Sequence, residues 1–189
     1  MLYHGFPSDV FHSSTKIHKE RMAVTVGEIS EENFERKGFR LFVECAKLLP
    51  GVPFVVVGPP ADKAIERLKI IAPSNVIFTG GLYGKDLVEQ LAKAMIYVQA
   101  SEWESFGCSL AEAMLCECVP VVSRRTALPE VVGDCGFYLD KLEPEELSAK
   151  IRLALEHPEI GKKARQRIVE HFPLEKRKQA ILEVIRTLT

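Results

Sequence analysis

Short, wholly apolar runs alternate with amphipathic stretches along this chain, and that alternation limits its folds more than any other feature. Residues 22–27 (MAVTVG) precede 37–49, in which Leu41, Phe42, Cys45, Leu48 and Leu49 share one helical face. A run at 54–58 (FVVVG) leads into a helix over 62–72, one at 76–79 into a helix over 84–94, and one at 95–100 into a helix over 106–116. Two more strands, 119–123 and 136–139, come before helices at 144–157 and 174–188. Strands this short, with no polar residue at every second position, are buried on both faces. Such strands form a parallel sheet covered by helices on either side, so the expected fold class is α/β with a doubly wound parallel sheet.

Composition narrows the range of partners. With 189 residues, 47% hydrophobic and 27% charged, the chain can build one domain with a proper core. No apolar run approaches the ~20 residues of a membrane span, and the N-terminus lacks a basic start followed by an apolar core. The expected location is cytoplasmic, or peripheral at the inner face of the membrane. A net charge of −1 with both signs interspersed gives no field for nucleic acid and points to a small-molecule partner. The basic clusters Lys162, Lys163, Arg165, Arg167 and Lys176, Arg177, Lys178 read as solvated helix faces, with an acidic surface or anionic lipid as the other reading. Five cysteines are expected to be free, buried thiols. Cys116-x-Cys118, with Cys108 nearby, lacks the second pair or the histidine that a zinc site needs, so no metal is expected. Residues 1–19, with Gly5, Pro7, Ser8, Asp9, Ser13 and Ser14, read as an interdomain linker ahead of a domain over 20–189. A linker leading in implies a preceding domain.

Ligands of doubly wound sheets bind beyond the carboxyl ends of the strands, which directs attention to the loops after Val26, Val57, Phe78, Val98 and Val122. No GxGxxG or GxxxxGK[ST] is present, which disfavours a dinucleotide dehydrogenase or a P-loop enzyme. The stretch SEWESFGCSLAEAMLCECVPVV, 101–122, places Glu104 and Glu112 in apolar surroundings. With a helix from near Phe106, the residues Phe106, Leu110, Ala113 and Met114 form the buried stripe, and Ser105, Ser109, Glu112 and Cys116 form a groove-facing one. The first-turn amides, around Phe106 to Ser109, suit a phosphate, and Gly107 lets it come close. From those amides to Glu112 is about 8 Å at ~1.5 Å per residue, a fair reach from a diphosphate to a ribose. Spacing alone leaves a plainer reading open, in which Glu104 complements the helix N-terminus and Glu112 is simply exposed.

Glu104 to Glu112 (ESFGCSLAE), followed by Ala113-Met114 and Val119-Pro120-Val121-Val122, resembles the EX7E signature of the family 4 retaining glycosyltransferases. The likeness extends to 24–27, Arg36-Lys37-Gly38, 54–58, 75–80, Leu128-Pro129-Glu130-Val131, Gly136-Phe137 and His171-Phe172. The resemblance implies a Rossmann-like half of a GT-B fold: the donor-binding C-terminal domain, with the N-terminal acceptor domain absent. It gives Glu104 the task of supporting positive charge at the anomeric carbon, and Lys37 that of neutralising the leaving diphosphate. Glu112 would hold the ribose, Phe106, Gly107, Cys108 and Ser109 would meet sugar and phosphates, and Thr79, Gly80, Gly81 and Leu82 would lie against the base.

The implied reaction transfers a sugar, with mannose as the guess, from a GDP- or UDP-linked donor to a glycan or lipid-linked acceptor, without a metal or other cofactor. Glu28 departs from the pattern, because many relatives carry arginine there. Either Arg36 supplies that guanidinium, or Arg36 is a solvated loop residue and the clamp rests on Lys37 alone. Alternative readings are a nucleotide-sugar epimerase, a glycan phosphorylase, or a nucleotide-binding module that has lost catalysis.

Overall fold

The computed structural model describes residues 3–12 and 17–188. Six strands, β1 (Glu20–Val26), β2 (Phe54–Val57), β3 (Val76–Gly80), β4 (Ala94–Gln99), β5 (Val119–Ser123) and β6 (Phe137–Leu139), form one parallel sheet in the order β3-β2-β1-β4-β5-β6. The order reverses between β1 and β4, so the carboxyl ends of those two strands open the crevice where α/β sheets hold ligands. Fully buried strand residues such as Phe54, Val56, Ile96, Val119 and Val121 contribute about 1.5–3 kcal/mol each.

Helices cover both faces. On one lie α1 (Glu31–Arg36), α2 (Phe39–Ala46), α3 (Ala64–Ile71) and, further along the chain, α7 (Pro144–Glu156); on the other lie α4 (Gly84–Lys93), α5 (Cys108–Leu115), α6 (Leu128–Val132) and α8 (Ile160–His171). The last helix, α9 (Leu174–Leu188), leaves Ile181, Leu182, Val184 and Ile185 exposed. Among the described residues no helix is long and apolar enough to cross a membrane.

Two expectations change. The helix expected over 37–49 is the shorter α2, and α1, which the sequence did not announce, precedes it. Ser30 caps α1 by accepting from the Asn33 amide at 3.3 Å, and α1 buries only Asn33 and Phe34, too little for an apolar period to show. The basic cluster on α8 is not uniformly a solvated face. Arg165 donates to the carbonyls of Phe11 at 2.9 Å, Ser8 at 3.1 Å and Leu115, while Arg167 donates to those of Val131 at 2.8 Å and Glu130 at 2.7 Å. Carbonyls left over where helices and loops end require such donors, and they draw the two guanidinium groups inward.

Residues 3–12 are laid onto the domain. The Phe6 amide donates to the Phe172 carbonyl at 3.0 Å and the Phe6 ring is buried. Met1, Leu2 and residues 13–16, part of the same expected linker, lie outside the described residues.

Candidate functional site

Lys37 reaches the crevice because α1 stops just before it. Its backbone caps α1, donating to the Asn33 carbonyl at 3.0 Å, and Gly38 turns the chain into α2. The freed side chain extends to Glu104, where Nζ donates to Oε1 at 3.1 Å with side chains 22% and 11% exposed. Ser101, at the end of β4, adds its hydroxyl to the same carboxylate oxygen at 3.3 Å, and the Glu104 amide donates to Thr126 Oγ1 at 3.0 Å. Glu104 is therefore held from three sides at the carboxyl end of β4.

Arg36 is placed one residue aside from that cluster. Its guanidinium donates to the Trp103 carbonyl at 3.3 Å and to Asn33 Oδ1, and lies 3.5 Å from Glu32, while its own carbonyl accepts from the Glu102 amide at 2.7 Å. These bonds brace the loop that carries Glu104 against α1.

Behind Glu104, Gly107 adopts φ 92°, ψ 56° and turns the chain into α5. A side chain there would be strained by the left-handed backbone and would meet Leu128 at 3.1 Å. The helix opens at Cys108, so its unpaired amides are those of Cys108, Ser109 and Leu110, and they bear the positive end of the helix dipole. Leu110, Ala113 and Met114 are fully buried, as the expected stripe requires. Phe106 precedes the helix. Its ring packs against His4, Phe6 and Phe172, with centroids 5.1, 5.6 and 5.3 Å away, so only its backbone can meet a ligand.

The polar stripe of α5 divides. Ser109 accepts from the buried Tyr97 hydroxyl at 2.8 Å, whereas Cys116, expected on the groove, is fully buried. Glu112 is half-buried, and its carboxyl group has no hydrogen-bond or ion-pair partner among the described residues. Burial without a compensating donor pushes it up to about 7. Glu104 and Glu112 both lie within electrostatic reach of Tyr97 and Cys108. Burial chiefly raises the Tyr97 hydroxyl and partial desolvation the Cys108 thiol, and the charges of both carboxylates raise them further. Cys108, expected to be buried, is exposed at the first turn of α5, unlike the other four cysteines.

The segment expected to face a base closes the far end of the crevice. Thr79 Oγ1 bonds to the Gly80 carbonyl at 2.9 Å, Gly80 accepts from the Gly58 amide at 2.9 Å, and Gly81 is exposed beneath the Tyr83 ring. Leu82 and Tyr83 line a hollow with Val26, Gly27, Glu28 and Val57 at the carboxyl ends of β1 and β2.

The residues that position the site were partly hidden in the sequence. Ser101 stood in view as the polar residue closing an apolar run. Thr126, 22 positions beyond Glu104, and Tyr97, inside a wholly apolar strand, carried no local signal.

Residues 8–171 match the family described as glycosyl transferases group 1. The sulfoquinovosyl transferase SQD2 of Arabidopsis thaliana is 28% identical over 155 residues, 77% of this chain and 29% of its own length. The MMP alpha-(1->4)-mannosyltransferase of Mycolicibacterium hassiacum is 34% identical over 121 residues, 60% of this chain and 29% of its own length. Among solved structures, Anabaena Alr3699/HepE in complex with UDP and glucose is similar with a TM-score of 0.87 at 21% identity, covering 98% of this chain and 56% of that one. The chain spans less than a third of either curated relative's length, and the structural likeness shows the fold.

Proposed function

The chain belongs to the glycosyl transferases group 1 family, and from that premise we propose that it is the donor-binding half of a retaining glycosyltransferase that uses a nucleotide diphosphate sugar. One observation carries the reading: Lys37 and Glu104 are joined at the topological switch point, and Glu112, which with Glu104 acts on Tyr97, stands half-buried with no partner among the described residues. A half-buried carboxyl group that nothing in the protein satisfies suits a ligand bringing hydroxyl donors, and the ribose of a nucleotide does so.

Each residue then has a task. The ammonium group of Lys37 and the first amides of α5 neutralise the diphosphate as it departs. Glu104 turns from its ion pair toward the sugar and steadies the positive charge that grows at the anomeric carbon. Arg36 keeps the Glu104 loop in place, and the loop over 79–82 lies along the base. This chemistry runs on side chains and helix-end amides and needs no metal. The transferred sugar is proposed to be mannose, supported by the mannosyltransferase relative. The acceptor, a glycan or lipid-linked hydroxyl, would bind a second half that residues 1–19 join to this one, in the cytoplasm or at the inner face of the membrane.

Calorimetric titration of GDP, UDP and their sugars into the 189-residue chain tests the reading. Wild type should bind a nucleoside diphosphate, and Glu112→Ala should weaken it about 10- to 100-fold, the value of hydrogen bonds to a charged group. Absence of binding by every nucleotide would sink the donor site. Full transfer to an acceptor by this chain alone would sink the assignment as one half of an enzyme.

A further inference from the structure

The hollow beyond Gly27 is joined to the Lys37–Glu104 pair. Gly27 lines it, and the Lys37 stem passes over Gly27 so closely that a side chain there would stand 3.2 Å from Cδ. Whatever lies under Lys37 therefore has open space beside it. Val26, Val57, Pro59 and Leu87 make the walls apolar. Two features at the rim are not apolar wall.

Tyr83 is 71% exposed, yet it is held in place: it precedes α4 with extended backbone, and its ring lies against Gly81. A flat aromatic surface at the mouth of an apolar hollow is a stacking platform, worth most to a planar heterocycle. Glu28 lines the same hollow. Its carbonyl accepts from Asn33 Nδ2 at 3.0 Å, and the next residue, Ile29, is fully buried with its amide on the Pro59 carbonyl at 3.0 Å. With Ile29 committed to the core on the α1 and α3 side, Glu28 borders the hollow. Its carboxylate has no hydrogen-bond or ion-pair partner among the described residues.

We infer that Glu28 and Tyr83 form a base-reading site that selects guanine, an inference that rests on the proposed nucleotide-sugar donor. A carboxylate only accepts hydrogen bonds, through two oxygens side by side. Guanine presents two adjacent donors, N1–H and an N2–H, which match that fork. Uracil presents one N3–H between two carbonyl oxygens, each of which would face a carboxylate oxygen. Adenine sets its amino donor beside the lone pair of N1. The same acceptor-only character unfits Glu28 for a phosphate, so this position, where the resemblance anticipated an arginine, serves the base end of the donor.

GDP, UDP and ADP titrated calorimetrically into the 189-residue chain, as wild type, Glu28→Gln and Tyr83→Ala, test the assignment. Wild type should bind GDP at least about tenfold tighter than UDP or ADP, the usual discrimination of a bidentate contact. Glu28→Gln should weaken GDP about tenfold while UDP and ADP hold or tighten, because an amide sets a donor beside an acceptor as those two bases require, and Tyr83→Ala should weaken all three by about tenfold, as loss of a stacking face does. A wild-type preference for UDP or ADP, equal binding of all three, or a general tightening in Glu28→Gln overturns the base reading while the donor site stands. Failure of all three to bind overturns the donor site itself. The wild-type series decides the matter without any variant having to fold.

Discussion

Lys37 and Glu104, 67 positions apart, meet at 3.1 Å across the seam between β1 and β4. Neither could hold its place alone, since each is mostly withdrawn from water and a lone charge there would be costly. Truncating one should expose that cost. Glu104→Ala is expected to lower the unfolding free energy by about 1–3 kcal/mol, less than for a fully buried pair because both groups keep some solvent contact. In urea melts of the two single variants and the double Lys37→Ala/Glu104→Ala, the losses should fall short of adding by more than about 0.5 kcal/mol. Additive losses would mean that the pair is not coupled.

Gly107 sets the direction of α5. With φ 92° and Leu128 at 3.1 Å from any added side chain, Gly107→Ala combines left-handed strain with a contact that Leu128 must relieve. About 1–3 kcal/mol of stability should be lost. Gly80→Ala is the control, at φ 74° with open space around it, and should cost only the strain. Comparing the two thermal midpoints separates crowding from conformation. Nucleotide binding should weaken in Gly107→Ala, because that variant also moves the first amides of α5.

The strands were legible because nothing competes with a run such as FVVVG or VPVVS. The expected segments match β2 and β5 to within a residue, and the helices α7 and α9 as closely. The two acids were legible too, since carboxylates in an apolar segment are conspicuous. What stayed hidden depends on tertiary contact. The start of α1 rests on a serine cap and its break from α2 on one glycine, while the inward turn of Arg165 and Arg167 rests on carbonyls of distant loops. Cys116 obeyed the same helical spacing as Glu112, but it falls where α5 ends against β4 and α8, a neighbourhood that periodicity along one helix cannot report.

Lys19 is a further residue that only the fold explains. Its ammonium group donates to the carbonyls of Ala94 and Cys116, both at 2.7 Å, and of Leu91 at 3.3 Å. These are the ends of α4 and α5, where carbonyls lack partners and the helix dipole is negative. Lys19→Met keeps most of the stem but strands the carbonyls, and should cost about 2–4 kcal/mol in chemical denaturation. Lys93→Met, at an exposed position of α4, should stay within about 0.5 kcal/mol of wild type.

Glu112 makes the fold pH-dependent in the direction opposite to a salt-bridged acid. Its folded value stands at about 7 against an ordinary 4.5, so between those two values the folded chain holds a proton that the unfolded chain has released. Stability from this group is therefore complete below about pH 4.5 and is lost as pH rises through 7. Glu112→Gln removes the dependence. Relative to wild type it should gain about 1–2 kcal/mol between pH 4 and pH 8, the full linkage value being reduced because the carboxyl group is only partly buried. Urea melts at the two pH values read this directly. A ribose that donates hydroxyls to Glu112 favours its charged form, so nucleotide binding near pH 6.5 should expel a proton from wild type beyond any released by Glu112→Gln. Calorimetry in two buffers of different ionisation enthalpy measures that difference, and equal proton release by the two proteins would detach Glu112 from the nucleotide.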